Sequence, residues 1–155
     1  MTRILITGMS ATGKSSVIVE LAALGHHAVD LDSPAWSETR ADGEWVWRED
    51  RVEKLLSSDD AGTLFVSGCA SNQVRFYPQF DAIILLSAPV DVMLRRLETR
   101  TTNSFGKHPD ELAQILRDVA ETEPLLRRRA GHEIDTTAPL DDVVAAVLRI
   151  AAETN

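Results

Sequence analysis

Cysteine is nearly missing from this chain. Cys69 is the only one in 155 residues, which excludes an internal disulfide and any cysteine-based zinc cluster. The four histidines, His26, His27, His108 and His132, are scattered without metal-ligand spacing. No apolar run is long enough to cross a bilayer. The opening MTRILITG is no signal peptide by pattern: its apolar run is short, runs into a glycine loop and meets no small-residue cleavage site. The expected compartment is the cytoplasm, with no membrane partner. Positive charge is also scarce, 16 Lys and Arg against 24 Asp and Glu, a net charge of −8. Sequence-independent nucleic-acid binding needs a basic surface, so no nucleic-acid partner is expected.

What is present is the composition of a globular domain, 44% hydrophobic and 26% charged. There is no internal repeat, low-complexity tract or interdomain linker, so residues 1–155 read as a single domain. RILIT (3–7) predicts a buried strand, and Lys14 to Leu24 a helix closed by Gly25. HAVDLD (27–32), TLFVSG (63–68), DAIILLS (81–87) and HEIDT (132–136) predict further strands. Helices are expected over Glu44–Ser57, from Pro89 to Leu97, from Pro109 to about Ala120, from Glu121 to Ala130 and over Asp141–Ala152. CASNQVRFYPQ reads as a loop with one helical turn. Strands alternating with helices give an α/β fold with a parallel sheet and right-handed crossovers.

Between the first strand and the first helix lies Gly8-Met-Ser-Ala-Thr-Gly13-Lys14-Ser15, which fits G-x-x-x-x-G-K-[ST] in the strand–loop–helix context the motif requires. Glycines let the backbone wrap an anion, successive N–H groups form a nest, and the helix N-terminus adds a favourable dipole. Gly8, Ser10, Ala11, Thr12, Gly13, Lys14, Ser15 and Ser16 are the expected ATP-binding residues. Lys14 supplies charge near the β- and γ-phosphates, and the Ser15 hydroxyl can ligate Mg²⁺. The base-reading N-K-x-D of a GTPase is absent, and neither the third nor the fourth strand ends in the acid of an ATP-driven motor. Acids instead close the second strand, as Asp30-Leu31-Asp32. Residues two apart on a strand share a face, so both carboxylates should lie beside the loop, at the sheet edge where ligands bind. Asp30 would support Mg²⁺, and Asp32 would accept a proton from a substrate hydroxyl. The plain alternative is a solvated strand end before a Ser-Pro turn.

The early G-x-x-x-x-G-K-S, the D-L-D after the second strand and the missing acid on the third resemble the shikimate kinase-like group of small P-loop kinases, relatives of the nucleoside monophosphate kinases. Gly43-Glu44-Trp45-Val46-Trp47-Arg48 is similar to their G-E-x-x-F-R stretch, whose arginine binds substrate carboxylate, and Ala130–Val144 to their final strand, adenine-side loop and helix. The G-C-A-S-N-Q and R-T-x-N-x-[FY]-G-K stretches are similar to those of a bacterial group called AAA-family ATPases or shikimate kinase-like proteins. The resemblance implies a three-layer P-loop fold: a five-stranded parallel sheet of order 2-3-1-4-5, helices on both faces, and a short lid at about 99–108. It implies that Arg100 stacks on adenine or approaches the phosphates. Lys107, further along the same loop, is a second candidate to reach the γ-phosphate on closure. Arg96, one turn before Arg100, could share its face.

Three departures stand out. Gly68, Cys69 and Ala70 replace three glycines; TTNSFGK replaces an Arg-Pro-Leu-Leu lid; and Thr122 stands where an arginine precedes Pro-Leu. The phosphoryl-transfer residues look retained and the substrate changed. Asp32, Arg48, Gly68, Cys69 and Asn72 are the expected substrate-binding set, with Gln73 and Arg75 nearby. Trp36, Trp45 and Trp47 lie in the segment that should cover the substrate. In a helix, 45 and 47 would point to different sides. Of Arg127, Arg128 and Arg129, at most one or two should meet phosphate, with Arg129 on a solvated face. The expectation is a kinase that moves the γ-phosphoryl group of Mg-ATP to a small-molecule hydroxyl, with Lys14, Asp32 and Arg100 catalytic, acting as a monomer or weak homodimer. A nucleoside or nucleoside monophosphate kinase and an ATP-binding regulatory module are the alternatives.

Overall fold

A computed structural model describes residues 2–58, 62–99 and 108–154. Arg100, Lys107 and nearly all of the expected lid segment lie outside the described residues. In chain order the elements are β1 (Thr2–Thr7), α1 (Lys14–Ala23), β2 (His27–Asp30), β3 (Ser37–Thr39), β4 (Trp45–Trp47), α2 (Glu49–Leu56) and β5 (Thr63–Ser67). A 3₁₀ helix (Gln73–Gln79) follows, then β6 (Ala82–Ser87), α3 (Val90–Thr99), α4 (Pro109–Glu121), α5 (Glu123–Arg129), β7 (His132–Asp135) and α6 (Leu140–Thr154).

Five strands form one sheet in the order β2-β5-β1-β6-β7, every pair parallel. Counting only the strands of this sheet, that is the expected 2-3-1-4-5. Apolar runs such as ILI and IILL suit strands buried on both faces. The pleat divides β1 accordingly. Ile4 and Ile6 pack with Val17, Ile18 and Leu21 of α1 and Val143 and Val147 of α6. Leu5 faces the other way, onto Val52 and Leu56 of α2, Trp47 and Phe76. A third cluster joins Met9 and Leu85 to Met93 of α3 and Leu126 of α5. β1 lies between β5 and β6, so its C-terminal end opens where the strand order reverses, the usual ligand position in such sheets.

The expected helix over Glu44–Ser57 is wrong in its first half. Trp45–Trp47 is a strand, paired antiparallel with Ser37–Thr39, and the helix begins only at Glu49. The turn explains it. Gly43 has φ 87 and donates its N–H to Arg40 O, while Glu44 N–H is held by Asp42 Oδ1. An Asp-Gly pair sets such a hairpin, and the chain cannot be helical until it has turned back. Trp45 and Trp47 therefore share one face. The second strand also stops early, at Asp30.

Candidate active site

The loop after β1 is shaped by three positive φ angles, 152° at Gly8, 64° at Ala11 and 99° at Gly13. A Cβ on Gly8 would sit 2.4 Å from the carbonyl oxygen of Leu86 on β6, so only glycine fits. Gly13 leads into α1 without a side-chain cap, and the first turn of α1 carries no acid. Its opening N–H groups and dipole are thus offered to an anion. Thr12 Oγ1 donates to Met9 O at 2.7 Å, so Thr12 has only its main chain to offer a ligand. Lys14 Nζ donates to Gly8 O at 2.6 Å and Met9 O at 2.9 Å, which stations its charge inside the loop. Ser16 is exposed on the first turn of α1.

A cleft of about 1050 Å³ opens beside this loop, and Ser10, Ala11, Gly13, Lys14, Ser15, Ser16, Asp30, Asp32 and Arg96 all line it. Ser15 Oγ donates to Asp30 Oδ2 at 3.3 Å, and Asp30 Oδ1 accepts the Asp32 N–H at 2.9 Å. The two acids are brought together by this turn rather than by the strand pleat. Among the described residues no group of three or more His, Cys, Asp or Glu could hold a metal. A lone hydroxyl beside one carboxylate still fits Mg²⁺, whose hard oxygen ligands are mostly water and phosphate.

Asp32 is anchored on one side. Its Oδ1 accepts from Trp45 Nε1 at 3.2 Å and Cys69 N at 3.2 Å, while among the described residues Oδ2 takes only the Cys69 N–H, at 3.0 Å. Burial pushes the Asp32 pKa up, helped by the negative charge of Asp30 and opposed by Lys14 and by the Trp45 and Cys69 hydrogen bonds. The buried Gly68 makes room for this arrangement. A Cβ there would meet Trp47 Nε1 at 2.9 Å and Asp32 Oδ1 at 3.1 Å. Gly68→Ala should cost about 1–3 kcal/mol in a thermal melt and displace the carboxylate. Trp47 Nε1 is buried without a hydrogen-bond partner among the described residues.

Other expected residues lie elsewhere or do other work. Asn72 spends its amide on Trp47 N, Trp47 O and Glu49, locking the end of β4. Gln73 is buried and ties Ala70 N to Thr7 and Tyr77. Arg48 pairs with Glu38 at 3.0 Å and with Pro34 O at 3.2 Å, and is not among the residues lining the cleft. Arg75 pairs with Glu49. Arg127 is held by Glu123 and Glu133. Arg129 is exposed, as expected, with its guanidinium over the Tyr77 ring, 5.5 Å from its centre. The Cys69 thiol is kept neutral by burial, and the residue serves Asp32 through its backbone. Arg96 lines the cleft but bonds to Ala11 O and Thr136. The hold of Trp45 on Asp32 and of Thr136 on Arg96 escapes the sequence reading. The Asp-Gly turn before W-V-W was the available signal for Trp45; Thr136 carries none.

A family model described as an AAA domain matches residues 4–117. Shikimate kinase 2 of Sodalis glossinidius is 28% identical over 93% of this chain and 92% of its own length. The shikimate kinase of Halorhodospira halophila is 28% identical over 87% and 84%. Among solved structures, the shikimate kinase of Acinetobacter baumannii in complex with shikimate superposes with a TM-score of 0.69 at 20% identity, covering 100% of this chain and 95% of that one. An unliganded sugar kinase from Janibacter gives a TM-score of 0.58 at 18% identity, over 96% and 93%. No helix among the described residues is long and apolar enough to cross a membrane.

Proposed function

Because the chain belongs to the AAA domain family and is a shikimate kinase-like small P-loop kinase, we propose that it moves the γ-phosphoryl group of ATP to a hydroxyl of a small molecule other than shikimate. The observation that carries this is that the glycine loop with Lys14 lines the same cleft as Asp30 and Asp32.

The loop N–H groups and the first turn of α1 hold the phosphates, and Lys14 leaves its carbonyl partners to neutralise the transferred group. Ser15 and Asp30 would hold Mg²⁺, which supplies positive charge to the phosphates. Asp32 Oδ2, the oxygen with spare hydrogen-bonding capacity, takes the hydroxyl proton as the acceptor oxygen bonds to the γ-phosphorus and the bond to the ADP oxygen breaks. Burial raises the basicity of that carboxylate, and Trp45 and Cys69 fix its direction. Little covalent work remains for the protein. Alignment and charge stabilisation carry the rate, and Arg100, on the resemblance above, would add to the second.

A changed acceptor is supported by Arg48 being engaged with Glu38 and by Cys69, Ala70 and Thr122 standing at the altered positions. An ADP-release screen over shikimate, sugars, other hydroxylated metabolites, nucleosides and nucleoside monophosphates tests the proposal. One hydroxylated compound other than shikimate should release ADP in proportion to its own phosphorylation. Preference for shikimate would refute the changed acceptor. Preference for a nucleoside or its monophosphate would give the nucleotide kinase reading, and no acceptor dependence with any compound the regulatory one.

A further inference from the structure

The cleft takes in more than the phosphate loop. Past Ser16 it is lined by Val17 and Glu20 of α1, and by Ala138, Leu140 and Val143 at the start of α6. Val17 and Val143 share one core cluster, so α1 and α6 meet at this end. Among the described residues three carboxylates line the cleft: Asp30, Asp32 and Glu20. Glu20 is half-buried and takes no part in phosphoryl transfer. Helix geometry fixes its place. Gly13, Ser16, Val17 and Glu20 all line the cleft and follow the spacing of a single helix face. Ser15, whose Oγ meets Asp30, lies roughly 140° round the helix from Glu20. Asp30 and Glu20 therefore lie on different flanks of α1. Glu20 comes one turn after Ser16, roughly 6 Å along the axis, and helical side chains lean back toward the N-terminus.

In-line transfer puts the acceptor and the departing ADP on opposite sides of the γ-phosphorus. With Asp32 on the acceptor side, the nucleoside leaves the loop along the other flank, toward Glu20 and α6. Ala138 and Leu140 there offer apolar surface to a base, Leu140 with 39% of its area exposed. The sugar falls between base and phosphates, about one helical turn from Ser16. An ionised carboxylate only accepts hydrogen bonds and repels a further anion, so its partner must be a donor. Resting on the reading of the cleft as a nucleotide site, we infer that Glu20 reads the sugar. Its carboxylate accepts hydrogen bonds from the 2′- and 3′-hydroxyls, which makes the phosphoryl donor a ribonucleotide and not a deoxyribonucleotide. The adenine amino group is also a donor, but it lies beyond the sugar, further from Ser16.

The test compares wild type, Glu20→Ala and Glu20→Gln by calorimetry. The probes are the Mg²⁺ complexes of ATP, 2′-deoxy-ATP, 3′-deoxy-ATP, inosine triphosphate and tripolyphosphate. Wild type should prefer ATP over each deoxy analogue by roughly three- to tenfold, the worth of one hydrogen bond. In Glu20→Ala that preference should vanish, while tripolyphosphate binds as well as before or better, a like charge having gone. Glu20→Gln keeps the shape and one acceptor oxygen and should retain a reduced preference, which covers the case of an unstable alanine variant. The ratio of ATP to inosine triphosphate affinity should be the same in all three proteins. Equal affinity of wild type for ATP and either deoxy analogue overturns the inference, as does an alanine variant that keeps the preference. A change in the ATP to inosine triphosphate ratio alone would put Glu20 on the base and overturn it too. If wild type binds neither ATP nor tripolyphosphate, the nucleotide reading itself fails, and the inference falls with it.

Discussion

Asp32→Asn is expected to lower acceptor-dependent ADP release by roughly 10²–10⁴-fold, the range for loss of a positioned general base, while Mg·ATP affinity changes by less than about threefold. Asparagine keeps the shape and the acceptor oxygen that Trp45 and Cys69 grip. It loses the capacity to take a proton, the negative charge near Lys14 and the Oδ2 acceptor for the Cys69 N–H, which Oδ1 still accepts at 3.2 Å. The fold should not suffer. Burial raises the pKa of Asp32, so its contribution to stability is fully present below the unfolded pKa and is lost as pH rises through the folded one. Asparagine carries no such loss. The variant should therefore melt no lower than wild type at neutral pH, with the difference shrinking on acidification. A variant that kept its transfer rate would remove Asp32 from the mechanism; one that also lost ATP would place it in the nucleotide site.

Gly8→Ala should be the most damaging single methyl in the glycine loop. The added carbon would stand 2.4 Å from Leu86 O and 2.9 Å from Thr12 Oγ1. The first of these is backbone of a central strand and cannot swing aside. The loop must instead lift off β6, carrying with it the peptides that face the cleft. We expect a loss of about 3 kcal/mol or more, the upper end for overpacking, read as a fall of roughly 6–12 °C in melting temperature. Mg·ATP binding should drop at least about a hundredfold, as several main-chain donors leave register together. Gly131→Ala is the control. A Cβ there meets nothing within 4 Å, and both stability and binding should be unchanged.

These two residues also mark how far the sequence could be read. Gly8 belongs to a spacing whose physics is local: strand, anion nest and helix start follow one another along the chain, so the loop was legible from eight residues. The parallel sheet followed from the same regularity of short apolar strands and helical crossovers, and its strand order from the family resemblance alone. Asp32 was legible as an acid at a strand end, but its anchoring was not, because Trp45 and the Cys69 N–H reach it from segments 13 and 37 residues away. The hairpin that delivers Trp45 has strands of three residues, too short for alternation to outweigh a helical pattern running into α2. Asn72 and Arg48 show the converse, side chains that the sequence names without their partners. Polar and charged side chains near a sheet edge look like ligand contacts until their partners are known, and here the partners are Trp47, Glu49 and Glu38. Arg96 lies 40 residues from Thr136, a separation at which one sequence carries no pairing signal.

The most direct test of the whole account is a crystal structure of the full chain with Mg²⁺ and a non-hydrolysable ATP analogue. It should show the γ-phosphate against Lys14, the metal on Ser15, and Asp32 Oδ2 facing that phosphorus from the side opposite the β–γ bridging oxygen. A nucleotide bound away from Gly8–Ser15, or an Asp32 carboxylate turned off the γ-phosphate, would contradict it.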